Sequence, residues 1–137
     1  MRILIIDDDV GITNLVHHIL SAEGYEVLSA PNGEKGIDII REKSPDLVIL
    51  DLMLPIQDGW DVCKNIRSFS NVPILIMSAL NGALYIASAL DAGADDYLVK
   101  PVPNNMLLAR VKRLLQRSVQ NQAHLPLYQE ASFWATG

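Results

Sequence analysis

Leu47-Val48-Ile49-Leu50 is apolar at every position and stops abruptly at Asp51. Side chains on a strand alternate between its two faces, so a run without polar alternation belongs to a strand covered on both sides, as in a parallel sheet between helical layers. Ile74-Leu75-Ile76-Met77 repeats the pattern and is followed by Ser78. Working outward, short apolar runs at Arg2-Ile6, Tyr25-Ser29, Asp46-Leu50, Val72-Met77 and Asp95-Val99 read as five strands. Between and after them, amphipathic stretches at Val10-Ala22, Gly33-Lys43, Gly59-Phe69, Gly82-Ala92 and Asn104-Arg117 read as helices. The alternation predicts an α/β fold, a (βα)5 doubly wound parallel five-stranded sheet.

Punctuation agrees with these divisions. Asp9, Asn32 and Asp58 stand where helix N-caps belong, Gly24 and Gly93 where helices close, and Ser44-Pro45 ends the second helix. The chain has 137 residues, enough for one domain, which at this size buries about two-thirds of its unfolded surface. Half of the residues are apolar and the net charge is −5, with a pI near 5.0. This acidic balance argues against direct nucleic acid binding by this chain. The single Cys63 has no disulfide partner and no zinc-type spacing around it. With no signal-peptide pattern and no apolar run near 18 residues, the expectation is a cytoplasmic protein that makes no membrane contact.

Chemistry gathers after the strands. Asp7-Asp8-Asp9 follows the first, Asp51 the third, Ser78 the fourth and Lys100-Pro101 the fifth. Ligand sites of open α/β sheets lie beyond the carboxyl ends of the strands, where strand order reverses, so these distant residues are expected at one place. Asp7, Asp8 and Asp51 held close together would repel unless a cation neutralised them. Hard carboxylate oxygens favour Mg²⁺, with Mn²⁺ as an alternative. A carboxylate beside such an ion, with the Lys100 ammonium and the Ser78 hydroxyl as donors, is equipped to accept a phosphoryl group as an aspartyl phosphate. Other polar residues have plainer roles: His17 and His18 lie on a helix without a paired ligand, Cys63 packs as a small apolar group, and Asp9 caps the first helix.

From Met1 to Arg117 the chain resembles the response-regulator receiver domains of bacterial two-component signalling. The resemblance rests on Ile-Ile-Asp7-Asp8-Asp9, on Asp51-Leu-Met-Leu-Pro55 with Asp58-Gly59, on Met77-Ser78-Ala79, and on Gly93-Ala-Asp-Asp-Tyr97-Leu-Val-Lys100-Pro101, in order and spacing. It implies a flavodoxin-like strand order 2-1-3-4-5 and a phosphorylation-dependent switch rather than an enzyme with a separate substrate. Asp51 would be the phosphoacceptor, Asp8 a direct Mg²⁺ ligand, Asp7 a ligand acting through water, and the Met53 backbone carbonyl a further ligand. Ser78 would be the switch hydroxyl, Tyr97 the aromatic that changes rotamer, and Lys100 the cation that pairs with the phosphoryl group. The Lys100-Pro101 peptide would be cis. The implied partners are a sensor histidine kinase or phosphotransfer protein, and an output domain or partner protein at the face of the fourth helix, fifth strand and fifth helix, a homodimer being one option. The switch would assist its own phosphorylation and dephosphorylation.

Two rival functions are weaker. A haloacid-dehalogenase-type hydrolase needs a second carboxylate two residues after the nucleophile, and Met53 stands there. A binding-only receiver would lack an acidic residue, the hydroxyl or the lysine, and all are present.

Departures from the family pattern concern output. Val102 and Pro103 replace the usual aromatic and capping residues, so Asn104 is expected to cap the fifth helix. The fourth helix, Gly82-Ala-Leu-Tyr-Ile-Ala-Ser-Ala-Leu90, has no charge. With Ala83, Ala87 and Leu90 toward the sheet, Tyr85 and Ile86 would form an exposed apolar patch for a partner. Residues 118–137 read as a linker or C-terminal tail, polar at first and then carrying Leu125, Leu127, Tyr128, Phe133 and Trp134. A receiver cut from a longer regulator fits this better than a stand-alone domain with a docking tail.

Overall fold

The computed structural model describes residues 1–117, and the expectation of a linker or tail at 118–137 lies outside them. Five strands, β1 (Arg2–Ile6), β2 (Glu26–Ala30), β3 (Leu47–Leu50), β4 (Ile74–Ser78) and β5 (Asp96–Val99), form one sheet in the order β2-β1-β3-β4-β5. Every pairing is parallel. The connecting helices are α1 (Val10–Ala22), α2 (Gly33–Lys43), α3 (Gly59–Phe69) and α4 (Ala83–Asp91), and α5 covers 104–117. The expected fold class and strand order both hold.

The strand residues sort by parity into two cores. Ile3, Ile5, Leu47, Ile49, Leu75 and Met77 pack with Val16 and Leu20 of α1 and with Leu107, Val111 and Leu114 of α5. Leu4, Ile6, Val48, Leu50, Ile74 and Ile76 pack with Ile37 and Ile40 of α2, Val62 and Ile66 of α3, and Ala89 of α4. The two-residue strand period meeting a helical layer on each face is what the unbroken apolar runs encode.

The caps behave as expected. Asp9, Asn32 and Asp58 accept from the amides of Ile12, Lys35 and Trp60 at 3.1, 2.9 and 2.8 Å. Gly93 closes the turn after α4 with φ +114°, in the region that only glycine enters without strain. Three readings are corrected. Pro103, not Asn104, stands at the α5 cap, its carbonyl accepting from the Met106 and Leu107 amides at 3.0 and 3.1 Å; a missing N–H costs nothing there. Gly82 caps α4 rather than joining its first turn. In α4, Ala83, Ala87 and Leu90 face outward while Ile86 and Ala89 turn to the sheet. The apolar surface therefore consists of Leu84 (83% exposed), Tyr85 and Leu90.

One close approach fixes the loop behind Asp51. A Cβ on Gly59, the first residue of α3, would fall onto the Leu52 Cα, 2.7 Å from the Asp51 carbonyl and 2.8 Å from that of Leu52. The obstacle is backbone, which cannot swing away as a side chain does. Gly59→Ala is expected to lower stability by about 1–3 kcal/mol, measured as a fall in the urea midpoint. An unchanged midpoint would show that the loop yields freely.

Candidate functional site

The sheet register brings the site together. Ile6 pairs with Leu50, so Asp7 and Asp51 leave adjacent strand ends side by side. Ser78 pairs with Val99, and the Lys100 amide donates to the Ser78 carbonyl at 2.8 Å, which sets Lys100 just beyond the same edge. This is the point where strand order reverses between β1 and β3.

Lys100 Nζ lies 2.9 Å from Asp7 Oδ2 and 3.2 Å from Asp51 Oδ2, with side-chain exposures of 15% for the lysine and 2% and 8% for the carboxylates. The other oxygens are also held: Asp7 Oδ1 accepts from the Asp9 amide at 3.0 Å, and Asp51 Oδ1 from the Met53 amide at 3.1 Å. Asp8 is exposed and forms no ion pair among the described residues. One carboxylate oxygen from each of Asp7, Asp8 and Asp51 lies within 4.8 Å of the others.

Burial pushes the Asp7 carboxyl above the ordinary aspartate value, and the Asp9 amide and Lys100 offset this only in part. At Lys100 burial pulls the other way, yet the Asp7 hydrogen bond and the charges of Asp51 and Asp7 together outweigh it and hold the ammonium above its usual value. Burial therefore wins at Asp7 and the surrounding charge wins at Lys100.

The donor set suits a hard divalent cation of the magnesium type, which takes one or two carboxylates and keeps several waters. Asp8, exposed, has oxygens to give directly, whereas both oxygens of Asp7 and of Asp51 are already engaged inside the protein. The Met53 carbonyl takes no part in the backbone bonds of its turn, where Gly59 N donates instead to Leu52 O at 3.0 Å.

Ser78 is fully buried, and its Oγ accepts from the Leu80 amide at 3.3 Å. Tyr97 is 9% exposed and points inward, its hydroxyl donating to the Leu80 carbonyl at 2.7 Å. Burial raises the Tyr97 phenol above its ordinary value. The loop after β4 is thus gripped by both residues expected to act in switching. Leu80, a backbone partner with no side-chain signature, was not foreseen. The Lys100-Pro101 peptide is cis, as expected. His17 and His18 are exposed on α1, away from this cluster, and Cys63 is buried in the core.

A family profile described as response regulator receiver domain matches residues 3–112, and the chain belongs to that family. It is 41% identical over 115 residues to the transcriptional regulatory protein AfsQ1 of Streptomyces coelicolor, covering 84% of this chain and 51% of that one. It is 42% identical over 116 residues to the probable transcriptional regulator ycf27 of Porphyridium aerugineum, covering 85% and 48%. The chain thus spans about half the length of these curated relatives. Among solved structures, a two-component response regulator from Clostridium difficile aligns with a TM-score of 0.83 and 38% identity, over 85% of this chain and 97% of that one. The BeF3-activated N-terminal receiver domain of Klebsiella pneumoniae RstA aligns with a TM-score of 0.81 and 32% identity, over 84% and 98%. The chain is accordingly a receiver domain of the two-component response-regulator class. Among the described residues no helix is long and apolar enough to cross a membrane.

Removing the lysine should expose the repulsion it suppresses. Lys100→Ala is expected to cost roughly 2 kcal/mol or more at pH 7 by leaving two buried carboxylates unpaired, with added Mg²⁺ recovering part of the loss; urea titrations with and without the ion measure this. For Asp7 the sign is opposite to that of an aspartate whose carboxyl is held below its ordinary value, because burial outweighs its ion pair. Its folded pKa lies above the unfolded 3.8, so the native state binds more protons in that window and stability contributed by Asp7 falls as pH rises through it. Asp7→Asn should remove that slope, and identical urea midpoint profiles against pH for the two proteins would contradict the assignment.

Proposed function

We propose that this domain is a phosphorylation-dependent signalling switch in which Asp51 accepts a phosphoryl group from a sensor histidine kinase or phosphotransfer protein. The observation that carries the reading is the Lys100 ammonium bridging Asp7 and Asp51 at the sheet's switch point, with a third carboxylate, Asp8, open beside them. Asp8, Asp51 and the Met53 carbonyl would hold Mg²⁺ (or Mn²⁺), and Asp7 would reach it through water. When bound, the ion supplies positive charge that screens phosphoryl oxygens from the carboxylates.

An Asp51 carboxylate oxygen attacks phosphorus in line while the bond from phosphorus to the donor histidine nitrogen breaks. Lys100 neutralises a phosphoryl oxygen, exchanging part of its contact with Asp51 for the new anion. Ser78 has a hydroxyl proton to donate to another phosphoryl oxygen, since its Oγ only accepts from Leu80. Drawing Ser78 toward the phosphoryl group would move Leu80, and with it the carbonyl that holds the Tyr97 hydroxyl. The face formed by α4, β5 and α5 then changes, and an output domain or partner protein that prefers the changed face binds. The apolar α4 surface, Leu84, Tyr85 and Leu90, suits a partner of low charge, a second copy included, while Asp96 beside it is taken by Arg110 at 2.7 Å. The curated relatives are named transcriptional regulators; the part assigned here is the switch they share, without direct nucleic acid binding.

Incubating the chain with a small acyl phosphate and Mg²⁺ should add the mass of one phosphoryl group to the intact protein. Asp51→Asn should abolish that gain, and Lys100→Ala and Asp8→Asn should each slow it by roughly tenfold or more, the worth of one well-placed electrostatic contact. An inert wild-type chain would overturn the switch reading in favour of a receiver that only binds.

A further inference from the structure

Helix α4 is held very unequally at its two ends. At the start, Gly82 offers no capping side chain, Leu84 is 83% exposed, and the contact across to α3 is Tyr85 against the Trp60 ring, with centroids 6.1 Å apart and planes tilted by 39°. Within the helix Ala89 is the one buried residue, so little apolar area binds α4 to the sheet.

Past its end the fastening is dense and centres on one guanidinium. Arg67 of α3 donates from Nε to the Gly93 carbonyl at 2.8 Å, from Nη1 to the Val72 and Ser70 carbonyls at 2.6 and 3.2 Å, and from Nη2 to Asp95 Oδ2 at 2.8 Å. The same Asp95 oxygen accepts from the Ile74 amide at 2.8 Å, and the Asp95 amide donates to the Ile74 carbonyl at 2.9 Å. Cys63 Sγ reaches the Ala92 carbonyl at 3.5 Å. Arg67 therefore ties the exit of α3, the entry to β4 and the turn from α4 to β5 into one knot. A planar, always-charged fork can serve these four acceptors at once, which a lysine cannot. Gly93 is part of the fit, because a Cβ there would strike the Arg67 side chain.

We propose that Arg67 is the pivot of α4: the helix turns about its fixed C-terminal end at Gly93, while its N-terminal end, next in chain to the loop gripped by Ser78 and Tyr97, swings and slides Tyr85 over Trp60. Arg67 is thus a positioning residue at the opposite edge of the sheet from Asp51, and it decides which end of α4 moves.

Amide hydrogen exchange by NMR on the full unphosphorylated chain tests this directly. Amides of residues 86–88, which like those of 92–95 have backbone acceptors, should exchange roughly tenfold or more faster than those of 92–95, since local opening is cheapest where fewest contacts hold the backbone. Arg67→Lys should speed exchange at 92–95 by roughly tenfold, the effect of losing a charge-assisted hydrogen bond, while Arg117→Lys, altering a residue that touches Asp95 at a longer 3.7 Å, should not. Asp95→Asn, which keeps the shape and weakens the same knot, gives the parallel result if the lysine variant fails to fold. Equal exchange at both ends in the wild type, or unaltered protection of 92–95 in both variants, overturns the pivot. A second arm rests on the switch reading: after acyl phosphate treatment, amide shifts should concentrate at 83–88 and spread to 92–95 in Arg67→Lys. A chain whose mass shows no phosphoryl gain fails that reading alone, leaving the exchange gradient to decide the pivot.

Discussion

The ammonium of Lys100 between Asp7 and Asp51 is the interaction on which the site depends. Two carboxylates issuing from neighbouring strands, each nearly shut off from water, repel strongly unless a positive charge lies between them. The sheet register forces them together, and the end of β5 delivers the cation that makes the arrangement tolerable. Burial still holds the Asp7 carboxyl above its ordinary value, more than the Asp9 amide and Lys100 offset. An excess of negative charge remains with Asp8 standing open beside it, which is the electrostatic condition for attracting a divalent ion. Stability is held in reserve at the place where a ligand can repay it.

The fold serves this cluster through its strand order. Reversing direction between β1 and β3 leaves an opening at the carboxyl edge, and helices on both faces leave that edge as the accessible end of an otherwise apolar sheet. The loop after β4 then connects the charged edge to the flank. Ser78 holds its amide, Tyr97 holds its carbonyl, and α4 begins two residues beyond Asn81. The loop after β4 is thus hydrogen-bonded to Ser78 and Tyr97 at one end and leads at the other into a weakly packed helix.

Much of this was legible in the sequence because the informative residues sit directly after unmistakable apolar runs. Asp7, Asp51, Ser78 and Lys100 each follow such a run, and parallel pairing then dictates that they meet. The caps at Asp9, Asn32 and Asp58 were legible for a similar reason, since their side chains satisfy amides only a few residues away. The facing of α4 was not. Ala83–Asp91 is apolar almost all round, so no stripe marks the buried side, and the fully buried residue is the small Ala89, with Ile86 only half-buried beside it. The Leu80 carbonyl and the Arg67 knot were hidden because their partners are mostly backbone oxygens, which every residue carries. Pro103 at the α5 cap likewise acts through its carbonyl, where sequence reasoning looked for an Asn side chain.

The most direct test of the lysine-bridged carboxylate cluster is a carboxyl ¹³C NMR titration of Asp7, Asp8 and Asp51 with and without Mg²⁺. Expected is an Asp7 carboxyl that titrates above the ordinary aspartate value without the ion and moves downward on its addition, with the Asp8 and Asp51 resonances shifting in step. An Asp7 that titrates like an exposed aspartate, or three carboxyls indifferent to Mg²⁺, would contradict the cluster as an ion and phosphoryl site.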